Sequence, residues 1–264
     1  MNAVSAGLVF FITTFAATFG SYALMRTAFK SHIGPDTRSI AETTMFRIAA
    51  LHGLILALVF AQELSNIYTL KSTVDREANG LGSIVRNLDR YDSSGGSDSR
   101  TTQIKTDIAR YVRATIDTEW KALDETRRLS ASVDAVWDSI YQSLLDLPAN
   151  GSAQTWLRDR MLTSIEAVGV ERKTREIAAA SDINPIFWVV AFGGIISLAV
   201  CFFAYEPTRT TIALLMVYTF YSALVLFIIK LSDFPFSTPG LVPPTSLEIL
   251  YDELLRPIVE PPSR

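Results

Sequence analysis

Hydrophobic residues in this chain gather into four long runs, and the polar stretches between them differ greatly in length. The first run, residues 4–25, contains no charged side chain. About 20 apolar residues in a helix suffice to cross the hydrocarbon of a bilayer. A cleaved leader would open with basic residues and have a shorter apolar part, whereas here Arg26 and Lys30 follow the run. It therefore reads as a retained transmembrane helix. The second run, residues 45–61, is shorter and includes Arg47 and His52. In it Ala49, Gly53, Ala57 and Ala61 recur at every fourth position. Helices in lipid associate by close backbone approach along such ladders, so this helix is expected at the centre of its bundle.

The third run begins after Asn184 and Pro185 and continues to Tyr205. Asp182 or Asn184 suits the N-cap, and Pro185 suits the first turn. Gly193, Ser197 and Cys201 repeat the four-residue spacing of small side chains. The fourth run, residues 211–229, follows the short link Glu206, Pro207, Thr208 and Arg209, which predicts an antiparallel pair. Lys230 and Asp233 mark its exit from the membrane.

Between the second and third runs the pattern changes from uniformly apolar to one-sided. Leu64, Ile67, Val74, Ala78, Leu81, Val85 and Leu88 keep alternating spacings of three and four, a seam that predicts a helix leaving the membrane directly. Gly80 and Gly82 weaken that helix by about 1 kcal/mol each relative to alanine. A turn is expected at residues 92–97. Ile104, Ile108, Tyr111, Thr115, Ile116, Trp120 and Leu123 define one helical face, and Val133, Val136, Trp137, Ile140, Tyr141, Leu144 and Leu145 another, with a break between residues 126 and 130. After a turn at residues 148–151, with Ser152 as cap, a last helix carries Trp156, Met161, Ile165 and Val168. Trp137, Tyr141 and Trp156 are read as core. In the proline-rich tail, Thr245 and Glu248 match a capping box, and Leu247, Leu250, Leu254 and Leu255 predict a short amphipathic helix against the bundle or the membrane surface.

The fold class that follows is an all-α membrane protein with four transmembrane helices and an extramembrane antiparallel helical bundle inserted between the second and third. The expected parts are residues 1–63, 64–184, 185–231 and 232–264.

Charge sharpens this picture. Residues 64–184 hold 16 basic against 18 acidic side chains, and the whole chain has a net charge of −3, so nucleic acid is not an expected partner. The expected partners are the lipid bilayer and either further copies of the chain or a membrane complex. Arg26, Lys30 and Arg38 lie in a short link after the first helix, which tilts the N-terminus and the inserted domain towards the outside of the cytoplasm. Cys201 is the sole cysteine, which rules out an internal disulfide, and its apolar setting makes it a packing residue. With two histidines, no phosphate loop, no His-Glu-x-x-His and no Gly-x-Ser-x-Gly, the sequence points to no enzyme, no cofactor and no metal.

Ionisable groups inside membrane runs carry the functional signal that remains. His52 and Glu63 are nearly three turns apart on one helical face and could border a hydrated path. Against this, His52 could make one interhelical hydrogen bond and Glu63 could sit at the interface, which is the weightier reading. Arg47 projects from almost the opposite face and is expected to snorkel towards headgroups. Glu206, Arg209 and Lys230 read as boundary anchors, and Asp89, Arg90 and Tyr91 as a turn fixed by local ion pairs.

Several short motifs recur in a known order. Met25 and Arg26, His32, Ser39 and the small-residue second helix are followed by Leu88, Asp89, Arg90 and Tyr91. Glu206, Pro207, Thr208 and Arg209 then form a Pro-Arg turn, and Phe234, Pro235 and Phe236 with Gly240 a loosened Pro-Phe-x-Gly exit motif. In this order the chain resembles a family of uncharacterised bacterial membrane proteins, catalogued as a domain of unknown function and described as bestrophin-like. The resemblance implies the same order of helices. It also implies, by analogy with the pentameric anion channels called bestrophins, an oligomeric ion channel in the bacterial cell membrane with its domain in the cytoplasm, opposite to the tilt of the charges. The competing reading is a sensor or an accessory subunit acting through the helical domain.

Overall fold

The structure is a computed structural model of the 264-residue chain, and it describes residues 3–93, 99–237 and 240–260. No strand occurs among the described residues. Helices α1 (Ala3–Phe29) and α2 (Pro35–Tyr91) are joined by a 3₁₀ turn, Lys30–His32. Helix α3 (Ser99–Ala114) passes through a π-helical turn, Thr115–Glu119, into α4 (Trp120–Thr126). Then follow α5 (Ala131–Leu145), α6 (Ser152–Ala180), α7 (Pro185–Cys201), a 3₁₀ turn Phe202–Ala204, and α8 (Arg209–Leu231). The tail forms α9 (Thr245–Leu250), a π turn Tyr251–Leu255, and α10 (Arg256–Val259). Four of these helices are long and apolar enough to cross a membrane, namely α1, α2, α7 and α8. An integral membrane protein is what four such helices make.

The chain divides into two units, one of Met1–Asn66 and Asp182–Phe234, the other of Ile67–Ser181 and Pro235–Arg264. In the first unit, Leu56, Phe187, Ala191, Ile195, Leu226 and Ile229 form the buried cluster. Two buried threonines of α1 bond back to their own helix. Thr14 donates to the Phe10 carbonyl at 2.7 Å and Thr18 to that of Thr14 at 2.8 Å. A hydroxyl bonded one turn back adds no unpaired group to the membrane interior. Asn184 caps α7 as its position suggests: its side-chain oxygen accepts from Ile186 N at 3.0 Å, with Pro185 at the first turn.

In the second unit the seam of α2 is buried from Leu70 to Leu88, together with Ile104, Ile108, Tyr111, Val133, Ile140 and Leu144. Burying each such side chain contributes about 1.5–3 kcal/mol. The helix does break where expected: α4 ends at Thr126, Arg127 adopts the left-handed conformation (φ 57°) that closes a helix C-terminus, and α5 starts at Ala131. Gly80 is a packing device rather than a weakness, because a Cβ there would lie 2.8 Å from Val168 Cγ2 on α6. The tail belongs to this unit, with Phe236, Val242, Leu247 and Leu255 in the same core.

Several local expectations fail for definable reasons. Trp156 is 60% exposed, since the buried stripe of α6 passes through Leu157 and the tryptophan sits one position off it. Leu145 is likewise exposed at the end of α5. Ser152 does not cap α6: Gly151 occupies the N-cap in an extended conformation, and its carbonyl accepts from Thr155 N at 3.0 Å. The capping box in the tail does not form either. Pro244 is the N-cap of α9, and the Ser246 hydroxyl donates to Asp75 instead. Of the turn expected at residues 92–97, residues 94–97 lie outside the described ones.

Candidate functional site

Helix α2 carries every ionisable residue singled out in the second apolar run, and the structure separates them. His52 is buried. Its Nε2 lies 3.0 Å from the Ala191 carbonyl oxygen of α7, and a Cβ on Gly194 would overlap the imidazole ring. The close helix approach in this unit therefore falls between His52 and Gly194, and His52 serves as an interhelical contact. Glu63 is half-buried on the same face, beside Asn66 and under the field of Asp233. Asp233 itself is buried, accepts from Ile183 N at 3.0 Å and pairs with Lys230.

The ladder expected to hold helices of one chain together points elsewhere. Ala49, Gly53, Ala57 and Ala61 are all exposed, and the space around Gly53 is open. Gly193 and Ser197 of the third run are exposed too, while Cys201 is buried as a packing residue. Arg47 is exposed on the remaining side of α2 and lines an otherwise largely apolar groove.

At the loop end of this unit the cations act as helix caps. Arg26 Nη1 donates to the Phe203 carbonyl at 2.9 Å and to that of Tyr205 at 2.6 Å, and Arg38 Nε donates to Ala204 O at 3.3 Å. The last carbonyls of a helix lack partners of their own and carry partial negative charge, so guanidinium groups suit them. Glu206 approaches Arg38 at 3.7 Å as an exposed pair, and Thr208, between Pro207 and Arg209, caps α8 by accepting from Thr211 N at 3.2 Å. The exit motif is structural as well. Pro235 O accepts from Val242 N at 3.0 Å, Phe236 meets Trp120 edge-on at 5.3 Å between centroids, and a Cβ on Gly240 would overlap the Ser237 carbonyl.

The second unit holds a charge network in its core that the sequence reading missed. Arg175 and Glu77 are completely buried and 2.9 Å apart, and Arg175 also reaches Glu119 at 3.0 Å. Arg172 closes on Glu119 and on Asp134. Tyr111 donates to Glu77 Oε1 at 2.7 Å, and the Trp120 ring lies 5.0 Å from the Arg175 guanidinium. Burial disfavours the charge on both arginines, but the surrounding carboxylates outweigh it and raise their affinity for protons. Burial, and then the Glu77 carboxylate, push the Tyr111 hydroxyl well above its usual range. The π turn at Thr115–Glu119 inserts an extra residue into a helix and brings Glu119 into this core. A sequence signal for the arginines existed: Met161, Ile165, Val168, Arg172, Arg175 and Ala179 are buried at spacings of four and three, so both guanidiniums ride the buried stripe of α6. None of these groups forms a metal-binding constellation among the described residues.

Asp89, Arg90 and Tyr91 form the end of α2, and most of the turn expected after them lies outside the described residues. Lys105 bridges Asp89 at 2.8 Å and Asp92 at 3.0 Å, Arg90 donates to Asn87, and Tyr91 donates to the Pro148 carbonyl. Burial works against the Lys105 charge, yet the two aspartates hold its affinity for protons above the ordinary lysine range.

A family model described as the Bestrophin-like domain matches residues 12–247. No curated protein and no solved structure matches the chain.

Proposed function

Because the chain belongs to the bestrophin-like family, we propose that it assembles with further copies of itself into an ion channel that passes anions. The family includes ion channels, and an apolar helical chain suits a bilayer. The observation that carries the oligomer is the exposed face of α2, where Ala49, Gly53, Ala57 and Ala61 lie uncovered within one chain. In lipid such a face is suited to close approach by another helix, and a second copy supplies one. The burial of His52 against Ala191 and Gly194 supports an interhelical contact over a place in the path.

In this reading the charge-rich segment between the second and third apolar helices stands outside the bilayer as a helical bundle. It faces away from the cytoplasm of a bacterial cell membrane, on the support of Arg26, Lys30, Arg38 and Arg209 on the opposite links. No catalytic step is part of this proposal.

Purified protein reconstituted in liposomes tests it. The expected result is chloride flux from an assembly of several chains. Absence of conductance for chloride, nitrate, sodium and potassium from pH 5 to 9 overturns it. A reporter fused after Lys121 reads the side on which the inserted segment lies.

A further inference from the structure

A groove of about 660 Å³ runs between α2, α7 and α8 in the first unit. Met45, Phe46, Ala49, Leu198, Phe202 and Tyr218 supply most of its wall. That volume is in the range of small-ligand sites, about 300–1,000 Å³, which are mostly apolar with a few placed polar groups. Only two charged side chains line this one, Glu42 and Arg47. Both are exposed, and among the described residues neither enters a salt bridge or hydrogen bond. Their positions, five residues apart on α2, differ by about 7.5 Å along the helix axis. Two unpaired charges of opposite sign beside an apolar channel call for a ligand that is itself amphipathic and carries both signs.

We propose that the groove is a binding site for one phospholipid with a primary-amine headgroup, of the phosphatidylethanolamine type. An acyl chain lies against Phe46, Leu198 and Phe202, the phosphodiester pairs with Arg47, and the ammonium donates to Glu42. A guanidinium holds phosphate through several N–H donors in a fixed fork, whereas an ammonium is a compact triple donor that suits a carboxylate. A quaternary headgroup cannot donate a hydrogen bond, so phosphatidylcholine would leave Glu42 without a donor. The site needs that these helices stand in a bilayer, and it shares Ala49 with the face proposed to meet a second copy.

The test uses the full chain in mild detergent, stripped of lipid and titrated separately with phosphatidylethanolamine and phosphatidylcholine, with bound lipid counted by native mass spectrometry. One phosphatidylethanolamine per chain is expected, with phosphatidylcholine retained about tenfold less. Arg47→Gln and Glu42→Gln should each lower retention of the amine lipid about tenfold, and Arg47→Lys should restore most of it. Thr43→Trp, at an exposed lining position outside the small-residue ladder, fills the groove and should abolish retention while leaving the melting temperature unchanged. A photoreactive phosphatidylethanolamine should label peptides containing Phe46 or Leu198. Equal retention of the two lipids, retention unaffected by Arg47→Gln and Thr43→Trp, or a benzoylphenylalanine at position 46 that cross-links a second copy instead of lipid would each overturn the proposal.

Discussion

Gly194 leaves open the volume that the His52 ring fills: the ring lies where a Cβ would be, with Cγ 2.7 Å and Nε2 2.8 Å from that point, while Nε2 lies 3.0 Å from the carbonyl of Ala191. Adding a methyl group to a filled core typically costs about 1–3 kcal/mol. Gly194→Ala should therefore lower the melting temperature of the detergent-solubilised protein. In the double variant Gly194→Ala, His52→Ala the two changes should largely compensate, because the new methyl occupies space the ring has left. Additive losses would show that the two side chains do not compete for one volume.

Gly53 offers the opposite case, because nothing lies within 4 Å of a Cβ placed there. Gly53→Leu should leave the fold of a single chain intact, as read by helical content and melting temperature. If copies pack along this face, the same change should shift the mass of the assembly towards that of one chain and abolish flux. An unchanged mass would remove the ladder from the interface.

Within the second unit, Arg175 neutralises Glu77 and Glu119 at a point with no access to water. Removing one partner of a buried ion pair strands the other charge, typically at about 3–5 kcal/mol. Arg175→Met should therefore unfold this unit at markedly lower temperature. The triple change Arg175→Met, Glu77→Leu, Glu119→Leu should recover much of the loss, since no uncompensated charge is then left between these positions. Arg172→Met is expected to be milder, because Asp134, one of its two carboxylate partners, is half exposed to solvent.

Tyr111 sets an alkaline limit. Its hydroxyl holds its proton more tightly in the folded state than the ordinary tyrosine value of about 10, chiefly through burial and then the Glu77 carboxylate. A raised value favours the folded state below the unfolded one and withdraws that support as the pH climbs past it. Stability should be flat with respect to this group up to about pH 9.5 and fall above about pH 10, with a slope approaching about 1.4 kcal/mol per pH unit for one proton. Tyr111→Phe should flatten that decline while lowering stability at neutral pH, since Glu77 loses a donor. The measurement is a series of melting curves from pH 7 to 11.

The exit motif gives a prediction in the tail. Any side chain on Gly240 would run into the backbone carbonyl of Ser237, which cannot rotate aside as a flexible side chain can. Gly240→Ala should displace the Ser237 carbonyl and with it the contact of Phe236 with Trp120, and limited proteolysis should then cut between residues 237 and 245 sooner than in the parent protein.

Much of the helical layout was legible because apolar and charged residues segregate so completely along the chain. The break after Thr126 and the seam from Val74 to Leu88 follow from spacing alone, whereas the cap of α7 stood between Asp182 and Asn184 until the structure selected Asn184. The run of α2 out of the second apolar stretch was legible as well, as a seam leaving it directly. Its apolar pattern narrows from all-round to one-sided near residue 64, and nothing there stops a helix. The candidate site was legible only as residue types. Sequence spacing put His52 and Glu63 on one face, but could not say that this face turns inward to Gly194. Glu77 and Glu119 escaped notice because a carboxylate is normally assigned to solvent, and because a π turn shifts the register of every residue after Thr115. The family resemblance rested on short motifs whose order mattered more than any one of them, and several prove to be turns and caps.

The buried guanidiniums of α6 also bear on how the chain selects its own pairing. Hydrophobic side chains tolerate sliding, because leucine meets leucine equally well one turn along. Arg172 and Arg175 do not: a slip of one turn, about 5.4 Å, would carry both beyond reach of Glu119 and Glu77 and leave ionised groups facing hydrocarbon. The network thus works as a proofreading device, penalising near-miss alignments far more heavily than it rewards the right one.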